Sequence, residues 1–141
     1  MSVGSGRERA DLDRLYAVAD DFEARIRILS AEEGGRSTPV CNGIRWDFSY
    51  AADKDARELF MIWPDFVSAS GDSLSQYEPL PLLTYLSARM TVVADEMRAL
   101  VHRARIAPGV EFFCHEGGRK VAEGCVVRVT GLHHAREALR Q

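Results

Sequence analysis

Apolar and polar side chains alternate along much of the chain. Phe22, Ala24, Ile26 and Ile28 are interleaved with Glu23, Arg25 and Arg27, and Ile44, Trp46, Phe48 and Tyr50 with Arg45, Asp47 and Ser49. A period of two sends one set into a core and the other toward solvent or a ligand, which predicts half-buried strands. Residues 59–63, 97–102, 110–115 and 120–130 read as further strands, with Pro108-Gly109 as a turn. Residues 82–93 fit both periods: Leu83, Leu86, Met90 and Val93 suit a helix, while 88–93 suit a strand. Leu12, Leu15, Tyr16 and Ala19 recur at helical spacing and predict an amphipathic helix over 7–20. Residues 133–141 read as a terminal helix, and 64–81, rich in Ser, Asp, Pro and Gly, as the least regular stretch. Six or so short strands with turn residues between them predict a mainly β protein, a small antiparallel barrel with helical ends.

The sequence Glu-Gly-Gly-Arg occurs twice, at 33–36 and at 116–119. Each copy sits between alternating stretches, so both are predicted at turns between strands, where glycine gives access to positive φ. The flanking strands differ, so the repeat does not mark an internal duplication.

Composition narrows the function classes. A chain of 141 residues is one domain by length, and 46% hydrophobic with 28% charged residues is ordinary for a soluble fold. The amino terminus has no signal-like apolar run, and residues 59–63, ended by Pro64, are too short to span a bilayer. A cytoplasmic location and no membrane partner are the expectation. The net charge of −3 argues against a general nucleic-acid binder, and no DNA partner is expected. The charge is uneven: residues 1–95 carry net −6 and 96–141 net +3, and 16 of the 18 basic residues are arginine. Cys41, Cys114 and Cys125 form no C-x-x-C pair. A tight turn at 116–119 sets Cys114 opposite Val121 rather than Cys125, so reduced thiols are expected.

Several of these residues resemble the carboxy-terminal barrel, the third domain, of elongation factor Tu. They are Phe22-Glu23, Leu29-Ser30, Glu33-Gly34-Gly35-Arg36-Ser37-Thr38-Pro39, Asn42-Gly43-Ile44-Arg45-Trp46-Asp47-Phe48, and the stretch from Gly109 through Val126. The resemblance covers residues 22–50 and 97–130 and lapses between about 64 and 86, where it implies an insertion. It implies a six-stranded antiparallel barrel over 21–131, a helical extension over 1–20 and a helical tail over 132–141. In the family this domain helps hold the acceptor and T stems of aminoacyl-tRNA and meets the nucleotide-exchange factor. Its tRNA-contact turn corresponds to Glu116 and Gly117, and a contact that is normally glutamine falls on Asp47. A carboxylate there repels a phosphodiester that an amide could hydrogen-bond.

No Gly-x-x-x-x-Gly-Lys-[Ser/Thr] loop is present, so GTP is not expected and neither is any other cofactor. His133 and Glu137 stand four apart with no third ligand, so no metal is expected. His115-Glu116 lacks an evident nucleophile, and catalysis has no support. The expectation is a non-catalytic binding module, engaging a translation-related protein through an apolar patch at Trp63 and Phe66. The alternative is a barrel that contacts a tRNA stem through Arg36, Arg45, Glu116, Gly117 and Arg119.

Overall fold

The computed structural model describes residues 14–54 and 58–136. Six strands form a closed antiparallel barrel: β1 (Phe22–Ile28), β2 (Trp46–Tyr50), β3 (Phe60–Val67), β4 (Tyr85–Val92), β5 (Glu111–Glu116) and β6 (Arg119–Val129). Around the barrel they run β1-β4-β3-β2-β5-β6, and β6 closes on β1. The alternating residues behave as their period requires. Phe22, Ala24, Ile26 and Ile28 point inward from β1, and Trp46, Phe48 and Tyr50 from β2. At the barrel centre Phe48 stacks on Phe112 at 4.8 Å, and Phe22 meets both rings edge-on at 6.3 and 6.2 Å. Gly124 lies opposite Phe112 on β6, where a Cβ would come within 2.7 Å of ring carbon Cε1. A side chain at 124 and the ring at 112 therefore compete for the same space.

The β5–β6 hairpin carries a bulge between Cys114 and His115, so Cys114 faces Ala122 and Val121 is the extra residue. This corrects the expected Cys114–Val121 register. Cys125 lies opposite Glu111, and all three thiols are free.

Other expectations need revision. Of the helix predicted over 7–20, residues 7–13 lie outside the described residues, and 14–20 form no helix. Of the tail over 132–141, residues 137–141 lie outside the described residues, and 132–136 are turn and coil. Strand β3 continues through Pro64 to Val67, inside the stretch expected to be irregular. Pairing of β3 with β2 stops at Ile62, so Pro64 has only β4 as a neighbour, and its missing N–H breaks no ladder on the other side. The irregular connection between β3 and β4 is correspondingly shorter, 68–84, and residues 85–92 resolve the ambiguity in favour of a strand.

Residues 97–102, predicted as a strand, are helical: Asp95–Met97 leads into a π-turn, Arg98–His102, and then Arg103–Arg105. The most deeply buried residues, Arg98 and His102, are polar and four apart, with Met97 and Val101 partly buried against the core beside them. Arg98 donates to Asp21 at 2.7 Å and to the carbonyls of Gly131, Leu132 and His134. His102 shares a 2.6 Å hydrogen bond with Tyr50 Oη through Nδ1. Leu100, the large apolar residue between them, is exposed. Hydrophobic patterning misreads such a segment because its most deeply buried positions are polar groups with hydrogen-bond partners.

Two buried polar networks fix the connections. Asp21 accepts from the Val92 amide at 2.8 Å and from Arg98 and Arg136, tying the start of β1 to the end of β4. Asp65 accepts from Arg89 at 2.9 Å, Ser73 at 2.8 Å and Asn42 at 3.2 Å. Arg89 also donates to the Gly71 carbonyl, and Asn42 to that of Leu74, so the 68–84 connection is stapled to β3 and β4.

Candidate binding face

The two Glu-Gly-Gly-Arg segments meet at one end of the barrel. The first does not join adjacent strands, because β1 and β2 are separated by β4 and β3. It opens the long crossover between them: Ala31–Glu33 makes a short 3-10 turn, the Glu33 carboxylate accepts from the Ser30 amide at 3.0 Å, and Gly34 turns the chain at φ +93°. The second is a two-residue hairpin in which Glu116 pairs with Arg119 across Gly117-Gly118. Gly117 is exposed with φ +59°.

The segments then grip each other. Arg36 donates through Nη1 to Glu116 Oε2 at 3.1 Å, and Arg119 donates through Nη1 to the Gly35 carbonyl at 3.3 Å. Glu116 Oε2 also accepts from Trp46 Nε1 at 2.9 Å, while Arg36 holds the Thr38 hydroxyl through Nη2 at 2.9 Å. Arginine from each turn thus binds the other turn. Three of the residues expected to hold a phosphodiester, Arg36, Glu116 and Arg119, are brought together, but they are engaged with one another.

Arg45 and Asp47 lie elsewhere, on the outer face over β2 and β3. Arg45 is exposed, and its guanidinium carbon sits 4.6 Å from the centre of the Trp63 ring. Tyr16 packs on the same indole at 5.1 Å, and the Leu15 amide donates to Asp65 at 3.2 Å, so the segment before β1 lies against β3. Burial and the Asp65 charge raise the Tyr16 pKa, against a smaller opposing effect of Arg45. Trp63 is half-buried in this stack. Phe66 is not part of the surface: it is 0% exposed and packs edge-on against Trp46 at 6.1 Å. The expected Trp63–Phe66 patch is therefore corrected. With side chains alternating along β3, Trp63 shares the outer face with Met61, which is 56% exposed, and with Leu59 just before the strand, 40% exposed.

Patterning found the outer positions but missed their neighbours across the sheet. Asp47 stands between Met61 and His115, and His115 is paired in turn with Lys120. His115 Nε2 and Ser49 Oγ are 2.8 Å apart and share a hydrogen bond. Burial lowers the His115 pKa; Asp47 acts to raise it and Lys120 to lower it. The alternation of Ser49 with Trp46–Tyr50 placed it on the outer face, yet it is 1% exposed beneath its neighbours. A nucleophile beside a histidine and a carboxylate looks chemically suggestive, but this hydroxyl is not presented to a substrate.

The described residues contain no group of three His, Cys, Asp or Glu side chains placed to hold a metal ion. No helix among them is long and apolar enough to cross a membrane. Compared with known protein families, the chain matches no family model.

Proposed function

We propose that the protein is a non-catalytic binding module that engages a protein partner on the outer face of β2 and β3. The observation that carries this reading is where the charge and the apolar surface are free. Arg36 and Arg119, on which tRNA binding would depend, already hold the two turns together. Met61 and Leu59 instead stand exposed beside the Arg45–Trp63 stack. Exposed apolar side chains grouped on one rigid face favour a protein surface over a phosphate backbone. The buried Ser49 hydroxyl supports the non-catalytic part of the reading. The resemblance of residues 22–50 and 97–130 to the third barrel of elongation factor Tu directs the choice of partner toward the translation machinery.

The test is affinity capture by the tagged full chain, with and without ribonuclease, beside a Leu59→Glu/Met61→Glu double variant whose fold is checked by circular dichroism. A ribonuclease-resistant protein held by the wild type and released by the folded variant supports the proposal. A tRNA-sized RNA that disappears with ribonuclease, with affinity falling steeply in salt, would overturn it in favour of nucleic-acid binding.

A further inference from the structure

Among the described arginines, only Arg25 and Arg45 make neither a hydrogen bond nor an ion pair. Arg45 is the better placed to receive a ligand. Its guanidinium lies 4.6 Å from the centre of the Trp63 ring, closer than the 5.6 Å between Arg25 and Tyr85. Stacking on an indole orients the planar group while leaving its N–H edges free, and this reduces the ordering cost when a planar oxyanion binds. Trp63 is held from the other end of the chain's fold by Tyr16, so the platform is fixed before any ligand arrives. Two residues along β3 from Trp63 stands Met61, the most exposed apolar side chain of the β3 strand, followed by Leu59.

We infer that Arg45 on Trp63 is a receptor for a side-chain carboxylate of the partner, with Met61 and Leu59 taking the apolar residue beside it. The ligand class is an acidic-apolar peptide segment. This inference rests on the protein-binding reading above and adds the partner's chemistry to it. A nucleic acid fits less well. Its backbone presents a row of phosphates, whereas among the described residues this face offers one open cation, next to the Asp47 carboxylate and exposed apolar groups. Recognition by a planar, charge-assisted fork is worth about tenfold or more in affinity over the corresponding amide.

The test is selection of a random dodecapeptide display library on the biotinylated full chain, in parallel with Arg45→Gln and Arg25→Gln baits. Peptides carrying Asp or Glu next to Leu, Ile or Phe should be enriched on wild type and on Arg25→Gln, and lose about tenfold or more on Arg45→Gln. A selected peptide should shift the Arg45 Nε–H and Trp63 indole N–H resonances, and its Asn/Gln counterpart should not. Equal enrichment on all three baits, or selected peptides without acidic residues, overturns the carboxylate assignment while leaving a protein-binding face standing. No enrichment on the wild type also overturns it. An RNA hairpin that shifts the same two resonances and displaces the peptide would remove both the assignment and the reading beneath it.

Discussion

Acidification should weaken this fold through a single buried imidazole. His102 is sealed in the core against Phe48, Phe60 and Tyr50, with ring separations of 5.8, 4.7 and 5.7 Å. Its Nδ1 shares a hydrogen bond with Tyr50 Oη, and its Nε2 is buried without a hydrogen-bond partner. Burial, assisted by the nearby Arg105 charge, lowers its pKa from 6.5 to about 4. In the unfolded chain the ring takes up a proton near pH 6.5, whereas in the folded chain it does so only near pH 4. Between those values the unfolded state binds more protons, so stability present above pH 6.5 is lost as the pH falls. From pH 7 to pH 4.5 this one group removes about 2.5 kcal/mol. The assay is urea unfolding of wild type and His102→Met at both pH values, which cancels the titration of groups the two proteins share. The variant starts less stable at pH 7, because Tyr50 Oη loses its partner at a cost of about 1–3 kcal/mol. It should nevertheless lose less on acidification by about 2.5 kcal/mol, a midpoint difference of about 1 M urea or more. Parallel pH dependences for the two proteins would refute the reasoning, as would an NMR titration of His102 centred near 6.5 in the folded state.

Other perturbations test the parts separately. Gly124→Ala should lower stability by about 1–3 kcal/mol through overlap with Phe112, read as a drop in thermal midpoint; an unchanged midpoint would show that the ring can move aside. Arg89→Met leaves the buried Asp65 carboxylate without its guanidinium, for about 3–5 kcal/mol, and should open the 68–84 connection to limited proteolysis before the barrel unfolds. Arg36→Ala and Glu116→Gln should each cost about 1 kcal/mol, with the double variant costing less than their sum, because both remove one contact between the turns; strict additivity in chemical denaturation would deny the coupling. Cys41 and Cys125, partly exposed, should react with a thiol reagent in the native state. Cys114 should react only on unfolding, since burial raises its pKa and hides it.

The barrel was legible where strands have one wet and one dry face. β1 and the Trp46–Tyr50 stretch announce themselves by alternation, and the hairpin at Gly117-Gly118 by its glycines. Legibility failed where polar groups are buried with partners distant in sequence. Residues 97–102 read as a strand because the partners that bury Arg98 and His102, Asp21 and Tyr50, are 77 and 52 residues away. Pro64 looked like a strand end because nothing local reveals that β2 has already stopped pairing there. Phe66 looked available because it adjoins a polar stretch, yet the alternation that exposes Met61 and half-exposes Trp63 turns Phe66 into the core with Phe60 and Ile62.

The repeated Glu-Gly-Gly-Arg turn shows why a conspicuous charged motif is a weak sign of a binding site. An arginine at a turn satisfies its guanidinium on an acceptor that the fold brings within reach. Here that acceptor is the other copy, about 80 residues away: Arg36 takes Glu116, and Arg119 takes the Gly35 carbonyl. Any ligand phosphate would have to displace a contact that also orients the buried Trp46 indole through Glu116. Arg45 belongs to no repeat and adjoins no glycine pair, and its signal in the sequence is only its place in an alternating strand. Among the described residues its guanidinium is nevertheless the one left open on the β2–β3 face, beside exposed apolar side chains and on an aromatic platform. What separates these arginines is which acceptors lie within about 3 Å once the chain has closed on itself, and that is set by the barrel's register rather than by the motif.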